Sequence, residues 1–406
     1  MVIHFTLPDI IRNAGFFGAL QQIVASLSTD SPTSYPRLVG GCVRDMMLDK
    51  LANDIDLCTP LSPQEIITKL KAIDALAIPT GIKHGTITAV LNKYRFEITT
   101  LRQDIECDGR HATIKFTNNF KIDASRRDFT INALSYCINT EKLYDYFNGI
   151  NDLNQHRVIF IGNPGQRITE DALRILRFFR FSAYYSDTID DDGYTHCIAN
   201  KQLLKQLSQE RITSEVSKII LSHNACRVLR MMRPLLDYLN LSDIDLDSLQ
   251  LSLSQANNLS LELRYAILLQ FTDPSLLKRR LYQMKMSNKF TQHVVALVEL
   301  LNACHNTNIN IDYEYIILES IYKKRELFHD YIDICELSKN ITYDNIIIFK
   351  NLYSTNIQYQ LPVNGHDLMA LGFAHKQIAE KMRILENIWV TSRFKVQKNE
   401  LLSYVV

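Results

Sequence analysis

The sequence predicts an α+β protein in which a small mixed α/β domain precedes a larger, all-helical region. Over the first ~150 residues, helical apolar spacing alternates with short strand patterns. From residue 168 almost to the end, Leu/Ile-rich windows at helical spacing follow one another with few glycines. A length of 406 residues also exceeds one typical hydrophobic core, so more than one domain is expected.

The composition excludes several classes of protein. Hydrophobic residues make up 46% and charged residues 22%, which is typical of a globular chain and not of a disordered one. The net charge is +1, so any basic surface for nucleic acid must be local. We expect no membrane span and no secretory signal. Eight scattered cysteines without a Cys-x-x-Cys pair favour reduced thiols in a cytoplasmic setting, and the sequence does not indicate an oligomeric state.

The first elements are predicted from apolar spacing and turn residues. Residues 8–28 have the spacing of a helix. Val39 begins a strand that turns at Gly40-Gly41, and residues 42–49 read as a short helix. Residues 54–58 alternate polar and apolar side chains, as a half-buried strand does. This order places a glycine turn and a short helix between two strands.

The boundaries of the next elements are marked by more specific residue patterns. Ser62-Pro63-Gln64-Glu65 has the pattern of a capping box with proline at the first helical position. Residues 85–91 and 94–101 are predicted strands joined by a tight turn at Asn92-Lys93. Residues 103–121 are polar and irregular, which predicts a loop.

In the helical region, Thr169 is the predicted N-cap of a long helix with acidic residues in its first turn. Residues 187–193 are acidic and predict a solvated loop. Two basic clusters, 278–280 and 323–325, favour solvated helix faces, with phosphate contacts as the alternative.

The segment from Gly40 to Asp56 carries the strongest chemical signal. The double glycine Gly40-Gly41 lets a phosphate approach the backbone, and Arg44 adds a guanidinium for phosphate oxygens. Asp54 and Asp56, at i and i+2 of a strand, would share one face, where a hard cation such as Mg²⁺ relieves their repulsion. Each feature alone is typical of a turn or a strand end, but their order and spacing indicate nucleotide chemistry.

Two further positions extend this hypothesis. Glu97 on a neighbouring strand is the candidate third carboxylate for phosphoryl transfer, with an exposed strand glutamate as the equal alternative. Two arginines, Arg126 and Arg127, could bind a triphosphate, and the adjacent Asp128 could bind ribose hydroxyls. The alternative is that Asp128 caps a helix and the arginines are solvated.

Asp171 and Arg174 lie three residues apart in a predicted helix and would therefore share one face. A carboxylate beside a guanidinium offers an acceptor next to a donor, which matches the amine and ring nitrogen of adenine or cytosine. Guanine and uracil present the reverse order and would leave polar groups unpaired. Arg174, Arg177 and Arg180 form a basic stripe for phosphates. By spacing alone, an ordinary i,i+3 salt bridge is the commoner explanation.

Together these residues form an ordered set of motifs. The set comprises Gly40-Gly41-x-x-Arg44-Asp45…Asp54-x-Asp56, His84-Gly85-Thr86, Glu97-x-Thr99-Thr100-x-Arg102, Arg126-Arg127-Asp128-Phe129-Thr130-x-Asn132-Ala133, Tyr144-Asp145-x-Phe147-x-Gly149-x-x-Asp152 and Glu170-Asp171-x-x-Arg174. In order and spacing it closely resembles bacterial class II tRNA nucleotidyltransferases, the CCA-adding enzymes related to bacterial poly(A) polymerase. The resemblance covers residues 35–185, with weaker matches at 209–221 and 361–372.

The resemblance implies a catalytic head at 1–150, a helical neck at 151–250, a body at 251–360 and a tRNA-binding tail at 361–406. It implies addition of CCA to the tRNA 3′ end from CTP and ATP, with Mg²⁺ as the cofactor. By residue matching, Asp54 and Asp56 would hold the metal. The nucleotide-binding residues would be Gly40, Gly41, Arg44, Arg127, Asp128, Asp171, Arg174, Arg177 and Arg180.

The chain departs from the family pattern at two places. Asp49 stands where glycine often ends the short helix, and Asp tolerates the left-handed conformation required there. The loop reads Asp108-Gly109-Arg110-His111-Ala112, where a second arginine and a proline are common. The alternatives are a poly(A) polymerase, a partial enzyme adding only CC or only A, and an RNA-binding scaffold with an inactive head.

Overall fold

The computed structural model describes residues 1–52, 54–107, 112–256, 258–305, 312–339, 341–355, 357 and 359–405. The chain divides into two compact units, Met1–Leu239 and Asn240–Val406. The first unit contains all the described strands together with helices, and the second unit is helical. This confirms the predicted α+β class. The four-part division into head, neck, body and tail stays a prediction.

The first unit is built on a mixed sheet. Its strands are β1 (Val2–His4), β2 (Arg37–Val39), β3 (Asp56–Thr59), β4 (Leu76–Gly81), β5 (Thr86–Leu91), β6 (Tyr94–Thr100), β7 (Arg102–Cys107), β8 (Ala112–Phe116), β9 (Ser135–Cys137) and β10 (Lys142–Tyr144). Eight of them pair in the order β1-β10-β9-β2-β3-β6-β5-β4, and β7 pairs with β8 in a separate hairpin. Strands β3 and β6 run parallel at the centre, and the other neighbours run antiparallel.

The helices of the first unit are α1 (Asp9–Arg12), α2 (Phe17–Leu27), α3 (Gly41–Met47), α4 (Pro63–Lys71), α5 (Phe120–Ser125), α6 (Gly149–Asn154), α7 (Pro164–Glu170), α8 (Leu173–Tyr185), α9 (Asp191–Ala199), α10 (Gln209–Leu221) and α11 (Ala225–Met231). Short 3₁₀ helices span Pro32–Ser34, Ile82–His84, Thr130–Asn132, Ile138–Thr140, Lys201–Gln206 and Arg233–Leu239.

The helices of the second unit are α12 (Leu246–Gln255), α13 (Leu261–Leu269), α14 (Pro274–Gln283), α15 (Asn288–His305), α16 (Tyr313–Lys323), α17 (Phe328–Leu337), α18 (Tyr343–Ser354), α19 (Gly365–Ala370), α20 (His375–Thr391) and α21 (Lys398–Ser403), with a 3₁₀ helix at Arg325–Leu327. Among the residues described, none of the helices has the length and apolar character needed to cross a bilayer.

One face of the large sheet is covered by apolar side chains of α2 and α4. Leu20 and Ile23 of α2 and Ile66 of α4 are fully buried in the same cluster as Phe96 and Ile98 of β6. Burying such side chains stabilises the fold by about 1.5–3 kcal/mol each. The packed layer therefore fixes the ends of β2 and β3, where the candidate site residues begin.

Several local predictions are confirmed. Ser62 and Glu65 form a reciprocal capping box at the start of α4. Asn92 and Lys93 have φ of +48° and +68°, as a tight turn between β5 and β6 requires. Asp49 has φ of +53° after α3, which confirms that it takes the left-handed position.

Other boundaries differ from the predictions. The predicted helix at 8–28 is interrupted at residues 13–16, where Asn13 and Gly15 disfavour helix. Val39 ends β2 instead of beginning a strand, because the backbone turns at once into α3. Asp54 lies before β3, so the two aspartates are not at i and i+2 of one strand.

The predicted loop at 103–121 is wrong for its described part. Residues 102–107 and 112–116 pair as a hairpin, and α5 begins at Phe120. Polar strands of this kind give no apolar alternation, since they pair with each other and not across a core. Residues 108–111, which carry the departure from the family loop, lie outside the described part of the chain.

One predicted helix start and part of one predicted loop in the helical region are also wrong. Thr169 lies in the last turn of α7, because Asn163 caps that helix and Pro164 begins it. The long helix α8 begins later, at Leu173. Residues 191–193 are the first turn of α9 and not a loop, since the Asp190 carboxylate accepts the N–H of Gly193 at 2.8 Å. In each case a side-chain cap set the boundary.

Candidate active site

A cavity of 580 Å³ in the first unit brings together every predicted site residue except Glu97. Its lining includes seven basic and four acidic side chains, so the cavity suits a polyanion. The lining residues are Gly40, Gly41, Arg44, Asp54, Asp56, Arg126, Arg127, Asp128, Asn132, Asp171, Arg174, Arg177, Arg180, Phe181 and Lys218.

Gly40 lets the chain turn from β2 into α3 at the edge of the cavity. Its backbone has φ of +73° and ψ of −131°, which side chains with a Cβ rarely adopt. A Cβ at this position would lie 2.8 Å from Nη1 of Arg127. Glycine is therefore required both by the backbone and by the arginine that packs against it.

Replacing Gly40 by Ala should destabilise the protein by about 1–3 kcal/mol through backbone strain and should also displace Arg127. Gly162→Ala is the matched control, because Gly162 has φ of +75° but a Cβ added there would meet no atom within 4 Å. Urea unfolding gives the free energy of unfolding of both variants. The loss common to both measures backbone strain, and the additional loss in Gly40→Ala measures the steric clash with Arg127. Equal losses of unfolding free energy would contradict the proposed contact with Arg127.

The acidic pair lies where β3 begins. Asp56 is the first residue of β3 and is aligned with Glu97 on the parallel strand β6. Burial, together with the negative charges of Glu97 and Asp54, raises the pKa of Asp56 to about 6, against the opposing charge of Arg127. The pair is therefore poised to gain from a bound cation.

The role of Glu97 stays a prediction. Its side chain is exposed and does not line the cavity, although its strand runs beside Asp56. Within the described part of the chain, no group of three or more His, Cys, Asp or Glu side chains is arranged to hold a metal ion. The acidic pair alone is thus the candidate for binding one.

Arg44 is held in place by its neighbours on α3 and in the 3₁₀ helix at Thr130–Asn132. The residue is 6% exposed. Its Nη1 donates to Oδ1 of Asn132 at 2.6 Å, and its Nε and Nη2 donate to Oδ1 of Asp45 at 3.0 and 2.8 Å. Two charge-assisted contacts to one carboxylate fix the plane of the guanidinium.

A buried carboxylate orients the two arginines that follow α5. Asp123 is 2% exposed, and its Oδ1 accepts Nε of Arg126 at 2.8 Å. Its Oδ2 lies 3.6 Å from Nη2 of Arg127. Asp123 thus holds Arg126 and Arg127 at the cavity wall.

Asp128 is buried, and both of its carboxylate oxygens accept hydrogen bonds. Its Oδ1 accepts the N–H of Phe129 at 2.9 Å and Nδ2 of Asn132 at 3.0 Å, and its Oδ2 accepts Nε of Arg177 at 2.7 Å. Although burial opposes ionisation, the Arg177 charge and these hydrogen bonds lower the pKa of Asp128. The carboxylate is therefore ionised and orients Arg177.

Asp171 and Arg174 do not share one helix face, which corrects the spacing argument. Asp171 is an extended residue between α7 and α8, with φ of −152° and ψ of 105°. Its Oδ1 accepts the N–H of Leu173 at 3.1 Å and lies 3.4 Å from Nη2 of Arg211. Arg174 pairs instead with Oε2 of Glu170 at 2.7 Å. Both side chains nevertheless line the cavity.

The remaining bonds of Arg174 fix its guanidinium. Nη1 also donates to the carbonyl oxygen of Arg167 at 2.7 Å, and Nη2 donates to that of Arg126 at 3.1 Å. A guanidinium has five N–H donors, so Nε–H and one Nη2–H have no partner among the residues that the structure describes and could donate to a ligand. The Oδ2 atom of Asp171 accepts no hydrogen bond from any residue that the structure describes. An acceptor and donors thus face the same cavity.

Three lining residues were given no role by the sequence-based site prediction: Asn132, Phe181 and Lys218. The Phe181 ring centroid lies 4.2 Å from the guanidinium carbon of Arg180 and 5.2 Å from that of Arg177. Cation–π contacts of this kind are worth about 0.5–2 kcal/mol. The aromatic residue directly after Arg180 was a usable signal for this support.

The outer wall of the cavity comes from α10. Glu215 is 5% exposed, and its Oε2 lies 2.6 Å from Nε of Arg180. Its Oε1 lies 3.3 Å from Nζ of Lys218. Lys218 lies within the weaker match at 209–221, but its place beside the arginines of α8 depends on how α10 packs against that helix.

Comparison with family profiles gives two matches. A profile described as the Poly A polymerase head domain matches residues 36–159. A second, described as a probable RNA- and SrmB-binding site of polymerase A, matches residues 188–237. The first match spans the predicted metal, triphosphate and ribose residues.

Relatives match over most of the chain. The CCA tRNA nucleotidyltransferase 1, mitochondrial, of Homo sapiens is 32% identical over 384 residues, which cover 91% of this chain and 86% of that protein. The protein of the same name from Danio rerio is 31% identical, covering 90% and 86%. The CCA-adding enzyme of Staphylococcus haemolyticus (strain JCSC1435) is 30% identical over 400 residues, covering 90% and 92%.

Solved structures share the fold. The Bacillus stearothermophilus CCA-adding enzyme in complex with CTP aligns with a TM-score of 0.76 and 22% identity over 97% of both chains. The Thermotoga maritima CCA-adding enzyme complexed with tRNA_CCA aligns with a TM-score of 0.61 and 18% identity over 98% of this chain and 97% of that one.

Proposed function

The chain belongs to the family of CCA-adding tRNA nucleotidyltransferases, and we propose that it adds C, C and A in turn to the 3′ end of tRNA, using CTP and ATP. It is thus a nucleotidyl-transferring enzyme. The observation that carries the finer proposal is the single cavity that gathers the acidic pair, the arginines and the Asp171/Arg174 pair. A nucleotide in this cavity would meet all three groups at once.

The acidic pair fits a magnesium site. Carboxylate oxygens are the ligands that Mg²⁺ prefers, and the raised pKa of Asp56 reflects burial and the neighbouring charges of Glu97 and Asp54, which Arg127 offsets only in part. We assign Asp54 and Asp56 to holding it. Two such ions, when bound, would favour ionisation of the tRNA 3′-hydroxyl and stabilise the leaving pyrophosphate. The protein's own part is to hold the two carboxylates at the start of β3, an inner strand that runs beside the strand carrying Glu97.

The triphosphate would lie against Gly40 and Gly41, with Arg44 and Arg127 around it. The fixed planes of these guanidiniums suit phosphate oxygens, because little side-chain freedom is lost on binding. Each carboxylate oxygen of Asp128 already faces two internal donors, so the predicted ribose contact would require one of these hydrogen bonds to be shared or displaced.

The base would be selected by protein side chains without a nucleic-acid template. Oδ2 of Asp171 would accept from the exocyclic amine of cytosine or adenine. Arg174 would donate to the adjacent ring nitrogen with an N–H that has no internal partner in the described region. Guanine and uracil present the opposite order, and each unpaired buried group would cost about 1–3 kcal/mol.

The second unit is proposed to bind tRNA, as the body and tail of the family fold would. Lys278 and Arg279 line an open surface depression on α14 together with Tyr282. In the other basic cluster, Lys323 is paired with Glu386 at 2.9 Å. The α14 cluster is therefore the better candidate for phosphate contacts.

The reducing compartment proposed from the cysteines is supported by their state. Seven cysteines of the described chain are free thiols: Cys42, Cys58, Cys137, Cys197, Cys226, Cys304 and Cys335. We propose on this basis that the enzyme works in the cytoplasm.

The test is incubation of the full chain and Mg²⁺ with tRNA trimmed of its 3′ end, in the presence of all four nucleoside triphosphates. We expect two C residues and then one A, with G and U refused. Incorporation of G or U as readily as C would exclude base selection by Asp171 and Arg174. ATP-only extension of unrelated RNA would indicate a poly(A) polymerase, addition of only CC or only A a partial enzyme, and tRNA binding without extension an inactive scaffold.

A further inference from the structure

The end of α8 contacts α3 through a tyrosine that the motifs do not include. Tyr185 is the last residue of α8, and its hydroxyl donates to Oδ1 of Asp45 at 3.0 Å. The centroid of its ring lies 4.1 Å from the guanidinium carbon of Arg44. One side chain therefore touches both members of the Arg44–Asp45 pair.

The contact completes a closed arrangement around Arg44. Oδ1 of Asp45 accepts Nε and Nη2 of Arg44 as well as the Tyr185 hydroxyl. Oδ1 of Asn132 accepts a hydrogen bond from Nη1, and the ring of Tyr185 covers one face of the guanidinium. The hydrogen bonds fix the plane of the guanidinium, and the cation–π contact fixes its distance from the Tyr185 ring.

The hydroxyl is a dependable donor. Burial raises the pKa of Tyr185 to about 12 despite the nearby positive charge of Arg44. The phenol therefore keeps its proton at neutral pH and can donate to the side chain of Asp45. Removing the hydroxyl alone would leave the ring contact intact, so the two effects can be separated.

Helix α8 also carries Arg174 in its first turn, eleven residues before Tyr185 along the chain. At 1.5 Å per residue, the two positions are about 16 Å apart along the helix. The same rigid element thus supports a residue assigned to the base and, through Tyr185, a residue assigned to the triphosphate.

We propose that Tyr185 is a positioning residue that holds Arg44 toward the triphosphate and makes α8 set the spacing between base and triphosphate contacts. This inference rests on the proposed function, in which Arg44 binds the nucleotide. It predicts that Tyr185 matters for nucleotides that carry phosphates and not for the base itself.

The experiment compares Tyr185→Phe, Tyr185→Leu and the wild-type chain. We expect Tyr185→Phe to raise the Kd for CTP about fivefold to tenfold through loss of a charge-assisted hydrogen bond, and Tyr185→Leu about 50-fold through loss of the ring as well. Cytidine, measured as a competitive inhibitor, should bind all three within a factor of about two, and kcat at saturating CTP should stay near the wild-type value.

The matched control is Tyr194→Phe. Its hydroxyl donates to the carbonyl oxygen of Met231 at 3.2 Å, away from the cavity, so CTP binding should not change. Equal weakening of cytidine and CTP, or an unchanged Kd for CTP in Tyr185→Leu, would overturn the inference while leaving the proposed function intact. A wild-type chain that failed to bind CTP would overturn both.

Discussion

Replacing Asp56 by Asn should lower the rate of CMP incorporation by about 10³-fold or more while making the metal-free protein more resistant to heat. The loss of activity follows from weaker metal binding, because the metal contributes several kcal/mol of transition-state stabilisation. The gain follows from removing a charge that burial and the neighbouring carboxylates Glu97 and Asp54 disfavour. Activity and stability should therefore change in opposite directions.

The sign of the pH dependence follows from the same shift. The pKa of Asp56 rises from its ordinary value of 3.8 to about 6 in the folded chain, so the folded state binds a proton more tightly than the unfolded state. The destabilisation caused by the Asp56 charge is absent below pH 3.8, where the carboxyl is protonated in both states. It grows as the pH rises from 3.8 to about 6 and is complete above about pH 6. The Tm difference between Asp56→Asn and the wild type should widen over that window and then level off.

Thermal unfolding in a chelator between pH 4 and pH 8 measures this difference, and added Mg²⁺ should raise the Tm of the wild type but not of Asp56→Asn. Asp74→Asn is the control, because Asp74 is exposed, has φ of +56°, and Asn tolerates that conformation. Retained activity in Asp56→Asn, or an Mg²⁺ response equal to that of the wild type, would contradict the assignment of this carboxylate.

Replacing Asp171 by Asn should relax the preference for CTP over UTP by about 10-fold to 100-fold. The loss of one correct pairing with a buried polar group is worth about 1–3 kcal/mol. With its single side-chain oxygen on the N–H of Leu173, asparagine presents its NH2 group to the base, which can donate to the carbonyl of uracil but cannot accept from the amine of cytosine. The variant should therefore show a higher kcat/KM for UTP and a lower kcat/KM for CTP than the wild type.

The fold around position 171 should survive this change. The side-chain oxygen of asparagine can still accept the N–H of Leu173, which starts α8 in the wild type. The measurement is kcat/KM for CTP and for UTP on trimmed tRNA, with Asp192→Asn as the control on the exposed start of α9. If CTP and UTP lost activity by the same factor, Asp171 would support α8 without reading the base.

The motifs predicted the content of the cavity better than its geometry. Short-range patterns singled out Gly40, Arg44, Asp56 and Arg127, which all line the cavity, because glycine conformation, charge and sequence spacing are local properties. The spacing of Asp171 and Arg174 was interpreted as one helix face, which is wrong. Asn163 and Pro164 start α7 early, and the helix ends before Asp171.

The sequence by itself determined the α+β class, the glycine turn into α3, the acidic pair and the family. These depend on local backbone preferences, on hydrophobic periodicity and on residue types that chemistry requires. Only the tertiary structure decided which carboxylate orients each arginine, that Tyr185 packs against Arg44, and that Lys218 lines the cavity. Such pairings are made between side chains far apart in sequence, so they arise from packing and leave no short-range pattern.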